Sequence, residues 1–217
     1  MKPQNGNADK IRTFIKQVGW ATITNICYLM DGSYSPERYQ KWKKFLYRME
    51  TTKRTYDRVR RIGNFGEVAF TIDLNYLPYK LFKHNSYLRN CLAKFIHDYP
   101  DFKCKIKNDK SADALVFNDY EKFYIEMDMG GENGGGKVEG ELDKKFTENY
   151  SDQGCYRVIY FMASRYSQDT EQNRLNKLFE ILKKIKYRKP GRILAACYTL
   201  YLNNGIIYNR HQEAVKI

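Results

Sequence analysis

Along the first half of the chain, apolar positions recur at helical spacing; along the second half they gather into short runs. Over residues 9–17, Ile11, Phe14 and Ile15 share one face, continued by Val18. This predicts an amphipathic helix with Asp9 as its N-cap and Gly19 as its stop. Ile23, Ile26, Cys27 and Met30 predict a second helix over 22–30, closed by the turn Asp31-Gly32-Ser33. Ser35-Pro36 opens a third. Serine is a strong N-cap, and proline at the first helical position lacks only an N–H that would have no partner there. Tyr39, Trp42, Phe45, Leu46 and Met49 form the apolar face of this helix, and Arg38, Lys41, Lys44 and Arg48 fall largely on the other side. Next come the basic stretch 54–62, a Gly63-Asn64-Phe65-Gly66 turn, and Val68, Phe70 and Ile72 alternating over 67–73. Together they predict a β-hairpin with a basic first strand.

After Pro78 a linking helical segment leads to a helix over 87–99, marked by Leu88, Cys91, Leu92, Phe95 and Ile96 and stopped by Pro100. Strand signals follow at 102–107, 114–117 and 123–125, the last two joined by the polar turn Asn118-Asp119. Residues 137–150 read as a charged helix with few apolar positions. Residues 156–163 read as a central strand, 173–185 as an amphipathic helix and 193–202 as a last buried strand. The stretch 206–217 reads as an edge strand and tail. A helical crossover between strands 123–125 and 156–163 makes that pair parallel. The predicted class is α/β, α+β overall: a helical N-terminal part followed by a mixed-sheet layer sandwich.

Charge sharpens this picture. Of the formal +13, residues 1–110 carry 22 Lys+Arg against 10 Asp+Glu, and residues 111–217 carry 16 against 15. A basic first half points to a polyanionic partner, nucleic acid above all. Three helices, the third basic, then a basic hairpin, is the order of a winged helix-turn-helix over 9–77. Its third helix enters the major groove and its wing touches the backbone. The expected DNA-binding residues are Arg38, Lys41, Lys44 and Arg48 on the helix and Arg54, Arg58, Arg60 and Arg61 on the wing.

Cysteine usage adds little chemistry. Cys27, Cys91, Cys104, Cys155 and Cys197 are widely spaced, form no C-x-x-C pair, and read as buried free thiols. His84, His97 and His211 have no zinc-ligand spacing. No run is long enough to span a membrane, and the first residues lack the apolar core of a signal peptide, so a cytoplasmic location is expected.

The remaining candidate chemistry lies at the 114–125 hairpin. Asp113 opens its first strand, and Glu126 and Asp128, two residues apart, share one face of the second. Such oxygen ligands suit Mg2+ or Mn2+; the same carboxylates would equally serve an ion-pair network or a docking surface for a basic partner. The helix–hairpin–helix–strand order with acids at Asp113 and Glu126 resembles the PD-(D/E)xK nuclease fold, in which two acids and a lysine bind metal and activate water. Here Asp128 stands at the lysine position.

The phrases Ala112-Asp113-Ala114-Leu115-Val116 and Phe123-Tyr124-Ile125-Glu126-Met127-Asp128, the spaced Gly130 and Glu132, and the helix with Lys144, Lys145 and Tyr150 carry a closer likeness. They resemble the replication-relaxation family of plasmids and other mobile elements. That resemblance implies an N-terminal winged helix and a restriction-endonuclease-like domain, here 84–217, with a Glu-x-Asp-x-Gly-x-Glu stretch. It also implies work in DNA replication, relaxation or mobilisation. The leading expectation is a DNA-binding accessory protein with a degenerate nuclease-like domain, partnered by replication or mobilisation proteins or a second copy of the chain. The alternatives are a metal-dependent endonuclease or nickase using Asp113, Glu126 and Asp128, and a winged-helix transcription or copy-number regulator.

Overall fold

The structure is a computed structural model that describes residues 4–51, 59–64, 67–72, 82–107, 112–129, 156–164, 168–184, 193–209 and 211–217. Expectations for Arg54, Arg58, Glu132, Cys155 and the 137–150 helix lie outside the described residues. The protein is mixed α/β and forms two compact units, Met1–Ile106 and Lys107–Ile217.

The first unit runs α1 (Gln4–Val18), β1 (Trp20–Thr22), α2 (Ile23–Asp31), α3 (Pro36–Thr51), β2 (Arg60–Asn64), β3 (Val68–Thr71), α4 (Phe82–Asp98) and β4 (Lys103–Ile106). Its antiparallel sheet has the order β1-β3-β2. Asp9 is not an N-cap: α1 starts earlier, and Asp9 lies within it, paired with Arg12 at 3.2 Å. Strand β1 has no signal of its own in the sequence. Gly19, at φ 80°, turns the chain out of α1, and the three buried residues that follow are held by pairing with β3. Thr22 then caps α2 through a capping box with Asn25, and Gly32 in the left-handed region closes it. At α3, Ser35 accepts from the Arg38 N–H at 3.2 Å, the cap its sequence predicts.

The core of this unit is built from Ile11, Phe14 and Ile15 of α1, Ile23, Ile26 and Leu29 of α2, and Trp42, Leu46 and Met49 of α3. Phe70 of β3 and Leu88, Leu92 and Phe95 of α4 complete it. The division between units falls after β4, later than the 78–83 linker read from sequence, because α4 is bound into the first unit by polar as well as apolar contacts. Asn25 donates to Ser86 O (3.2 Å) and Asn90 Oδ1 (2.6 Å), and His97 Nδ1 lies 3.2 Å from Leu29 O.

The second unit contains β5 (Ala114–Phe117), β6 (Lys122–Asp128), β7 (Tyr156–Met162), α5 (Gln168–Lys184), β8 (Ile193–Cys197), α6 (Tyr198–Asn204), β9 (Ile207–Tyr208) and β10 (Ala214–Val215). Within this unit the strand order is β10-β9-β8-β7-β6-β5. The β5–β6 pair is an antiparallel hairpin; β6–β7 is parallel, as the crossover requires, and so is β7–β8. Leu175, Leu178 and Phe179 of α5 cover the face made by Val158, Tyr160, Met162, Ile193, Ala195 and Cys197. The predicted single strand over 193–202 is two elements. It stops at Cys197, and α6 follows, burying Tyr201 and Leu202 and closed by Gly205 at φ 68°. An unbroken apolar run hides the change from a two-residue to a 3.6-residue period.

Candidate nucleic-acid interface and the acidic hairpin

Helix α3 buries Trp42, Leu46 and Met49 and turns Lys41, Lys44 and Arg48 outward along one stripe, at spacings of three and four residues. Arg38 sits at the flank of that stripe and is half-buried. The first unit carries 20 Lys+Arg against 9 Asp+Glu, an excess of +11, which concentrates the chain's charge here.

The cations differ in what they already touch. Lys41 Nζ lies 3.1 Å from Asp31 Oδ1 and 4.5 Å from the Trp42 ring centroid. Asp31 Oδ2 also accepts the Trp42 indole N–H. On β2, Arg60 and Arg61 are both exposed, and successive strand positions point to opposite faces. Arg61 turns toward α3. Its backbone N–H donates to Glu50 Oε1 (3.3 Å), its guanidinium reaches the Tyr47 hydroxyl (3.5 Å), and its Cζ lies 5.4 Å from the Tyr47 ring centroid. The Tyr47 hydroxyl, and then the Glu50 charge, raise the Arg61 pKa above its ordinary value. Tyr47 packs edge-on against Phe70 of β3, so the Arg61–Tyr47 contact ties the hairpin to the helix.

The acidic hairpin is engaged from within. Asp113 precedes β5, where the β5–β6 ladder ends at the Ala114–Ile125 pair. Its Oδ2 accepts the Met127 N–H at 2.8 Å, and its own backbone N–H donates to Ile125 O at 3.1 Å. Glu126 is 5 % exposed on the face of β6 that looks toward α5, opposite Tyr160 in register. Asp128, two residues on, forms an ion pair with Arg174 of α5. The same guanidinium donates to the carbonyls of Asp128 (3.2 Å) and Ala163, clamping the carboxyl ends of β6 and β7. Among the described residues, no group of three or more His, Cys, Asp or Glu side chains is arranged to hold a metal ion.

A second buried carboxylate lies close along α5. Glu171, 2 % exposed, accepts from Thr199 N (2.9 Å) and Thr199 Oγ1 (3.1 Å) at the start of α6, and from Ser164 N (3.2 Å). It joins the ends of three elements and leaves its own charge satisfied.

Sequence reading placed the exposed lysines and the hairpin acids but missed three of their partners: Asp31, Tyr47 and Arg174. Arg174 carried a signal. It falls on the sheet-facing stripe with Leu175 and Leu178, and a cation on an apolar stripe calls for a buried acid. Asp31 carried another, as an acid at a helix C-terminus, where the helix dipole disfavours negative charge. No protein-family model, no curated protein and no solved structure matches the chain.

Proposed function

We propose that this protein binds double-stranded DNA through its first unit, a winged helix-turn-helix, and that its second unit is a nuclease-like α/β module that does not cut. Within that class, the reading the sequence motifs favour is an accessory protein in the replication, relaxation or mobilisation of a plasmid or other mobile element. The observation that carries it is the stripe of Lys41, Lys44 and Arg48 on α3, beside a hairpin whose outer strand bears Arg60 and Arg61. The element order α1-β1-α2-α3-β2-β3 with sheet order β1-β3-β2 supports the winged-helix reading, with α3 as recognition helix and β2–β3 as wing. The antiparallel hairpin followed by parallel β7 and β8, with acids at the hairpin's end, supports a restriction-endonuclease-like second unit.

Against an active nuclease stand the engagement of Asp113 by a backbone N–H and of Asp128 by Arg174. Water activation has no evident base among these residues. The test is a duplex-binding titration across salt concentration. Binding that weakens steeply with salt supports the reading, because Lys and Arg contacts release counterions from phosphates. Absence of duplex binding at low salt overturns it. Nicking of supercoiled plasmid in Mg2+ or Mn2+, lost in Asp113→Ala, would instead establish the endonuclease.

A further inference from the structure

Helix α2 ends on an acid, with no basic residue in its last turn. A carboxylate there faces the negative end of the helix dipole, so the position is not chosen for the stability of α2. The side chain is nonetheless held closely. One oxygen takes the Trp42 indole N–H and the other takes Lys41 Nζ at 3.1 Å, and only 17 % of the Asp31 side chain is exposed. Lys41 is the first cation of the exposed α3 stripe, and 58 % of its side chain is exposed. A carboxylate thus stands beside the recognition-helix lysine and satisfies it as a phosphate would. For Lys44, the next lysine on the stripe, no such acid contact is seen among the described residues.

We infer that Asp31 is an intramolecular competitor for DNA phosphate: it neutralises Lys41 at the N-terminal half of α3 and so limits non-specific duplex affinity. This rests on the DNA-binding reading and adds a regulator of that same surface. The physics sets its size. An exposed ion pair is worth a fraction of a kcal/mol to about 1 kcal/mol, so releasing Lys41 raises affinity by about 3–5-fold rather than by orders of magnitude. Its more diagnostic mark is in the salt dependence. Each lysine or arginine that newly neutralises a phosphate steepens the log–log slope by about 0.9. A lysine already neutralised by Asp31 contributes little of that slope in the native chain.

The experiment uses the full chain and a short labelled random-sequence duplex, with anisotropy titrations from about 50 to about 200 mM NaCl. The expected result is that Asp31→Asn, which keeps an oxygen for the Trp42 indole, binds about 3–5-fold more tightly, with a slope steeper by about 0.9. Lys44→Gln makes the native slope shallower by about 0.9, and Lys41→Gln makes it shallower by a clearly smaller amount, the part of its charge that Asp31 does not hold. In the Asp31→Asn background, Lys41→Gln then abolishes the gain. Should Asp31→Asn fail to fold, the Lys41→Gln and Lys44→Gln pair decides alone, since both positions are exposed. Equal loss of slope in those two variants overturns the inference, as does an Asp31→Asn protein that binds like the native chain. If the native chain shows no salt-dependent binding, the DNA reading falls and the competitor role falls with it. Salt-dependent binding with Asp31→Asn unchanged removes the competitor alone.

Discussion

Arg89 is a cation in the interior of the first unit, 4 % exposed, with its Cζ 3.9 Å from the Trp20 ring centroid. Its guanidinium donates to Val18 O, to Trp20 O (2.9 Å) and to Asn85 O (3.0 Å). Burial pushes its pKa down to about 9. Two of these carbonyls, Val18 O and Trp20 O, lie where α1 ends and β1 begins; the third belongs to α4 itself. Replacing it by Met fills the volume and strands those acceptors, so Arg89→Met is expected to lower unfolding stability by about 2–4 kcal/mol in urea titrations.

Buried thiols set a second residue-scale behaviour. Desolvation raises Cys27 and Cys104 to about 12 and Cys197 to about 11, and Tyr28 to about 12 by the same cause. Each holds its proton more tightly folded than unfolded. Their contribution is complete below about pH 9 and is lost as pH rises toward 11–12. Arg89 and Lys10, whose pKa values burial lowers, act in the opposite sense over this range, against these four and Tyr39, which burial raises. The melting temperature should therefore fall above pH 9, with a shallower fall in a Cys27→Ala, Cys104→Ala variant, as followed by circular dichroism.

At the scale of elements, the join of α2 to α4 depends on one missing Cβ. Gly32 has φ 67° as the C-cap of α2, and a Cβ built on it would meet His97 Nε2 at 2.5 Å. Gly32→Ala should cost about 1–3 kcal/mol, from left-handed strain and displacement of the imidazole from Leu29 O. Adding His97→Ala should relieve the clash but not the strain, so a thermal-melt double-mutant cycle between the two positions should show coupling. Helices α2 and α3 and strands β5 and β6 were legible in the sequence because local periodicity and caps coincide there. Strand β1 and helix α6 were not: three residues carry no period, and the 193–202 run is apolar on either spacing.

At the scale of the molecule, the excess of +11 in the first unit against +2 in the second predicts where polyanions bind. If several phosphates are neutralised by α3 and β2, the log–log salt slope for duplex DNA should exceed about 3 in magnitude. Lys44→Gln with Arg60→Gln should reduce it by about 1.8, read by anisotropy. Variants of Glu171 and Arg174 in the second unit should change stability and leave that slope alone.

Charge distribution, the amphipathic α3 with its outward lysines, the acidic hairpin and the parallel pairing of β6 with β7 were all determined by sequence, because each follows from local spacing or from connection length. The partners of those charges were decided only by tertiary structure. Asp31 meets Lys41 across a turn, Arg61 meets Tyr47 from another element, and Arg174 reaches Asp128 across 46 residues of chain. Local periodicity tells which way a side chain faces; only packing brings two distant faces to within 4 Å, and that distance decides whether a carboxylate is open to a ligand or already taken.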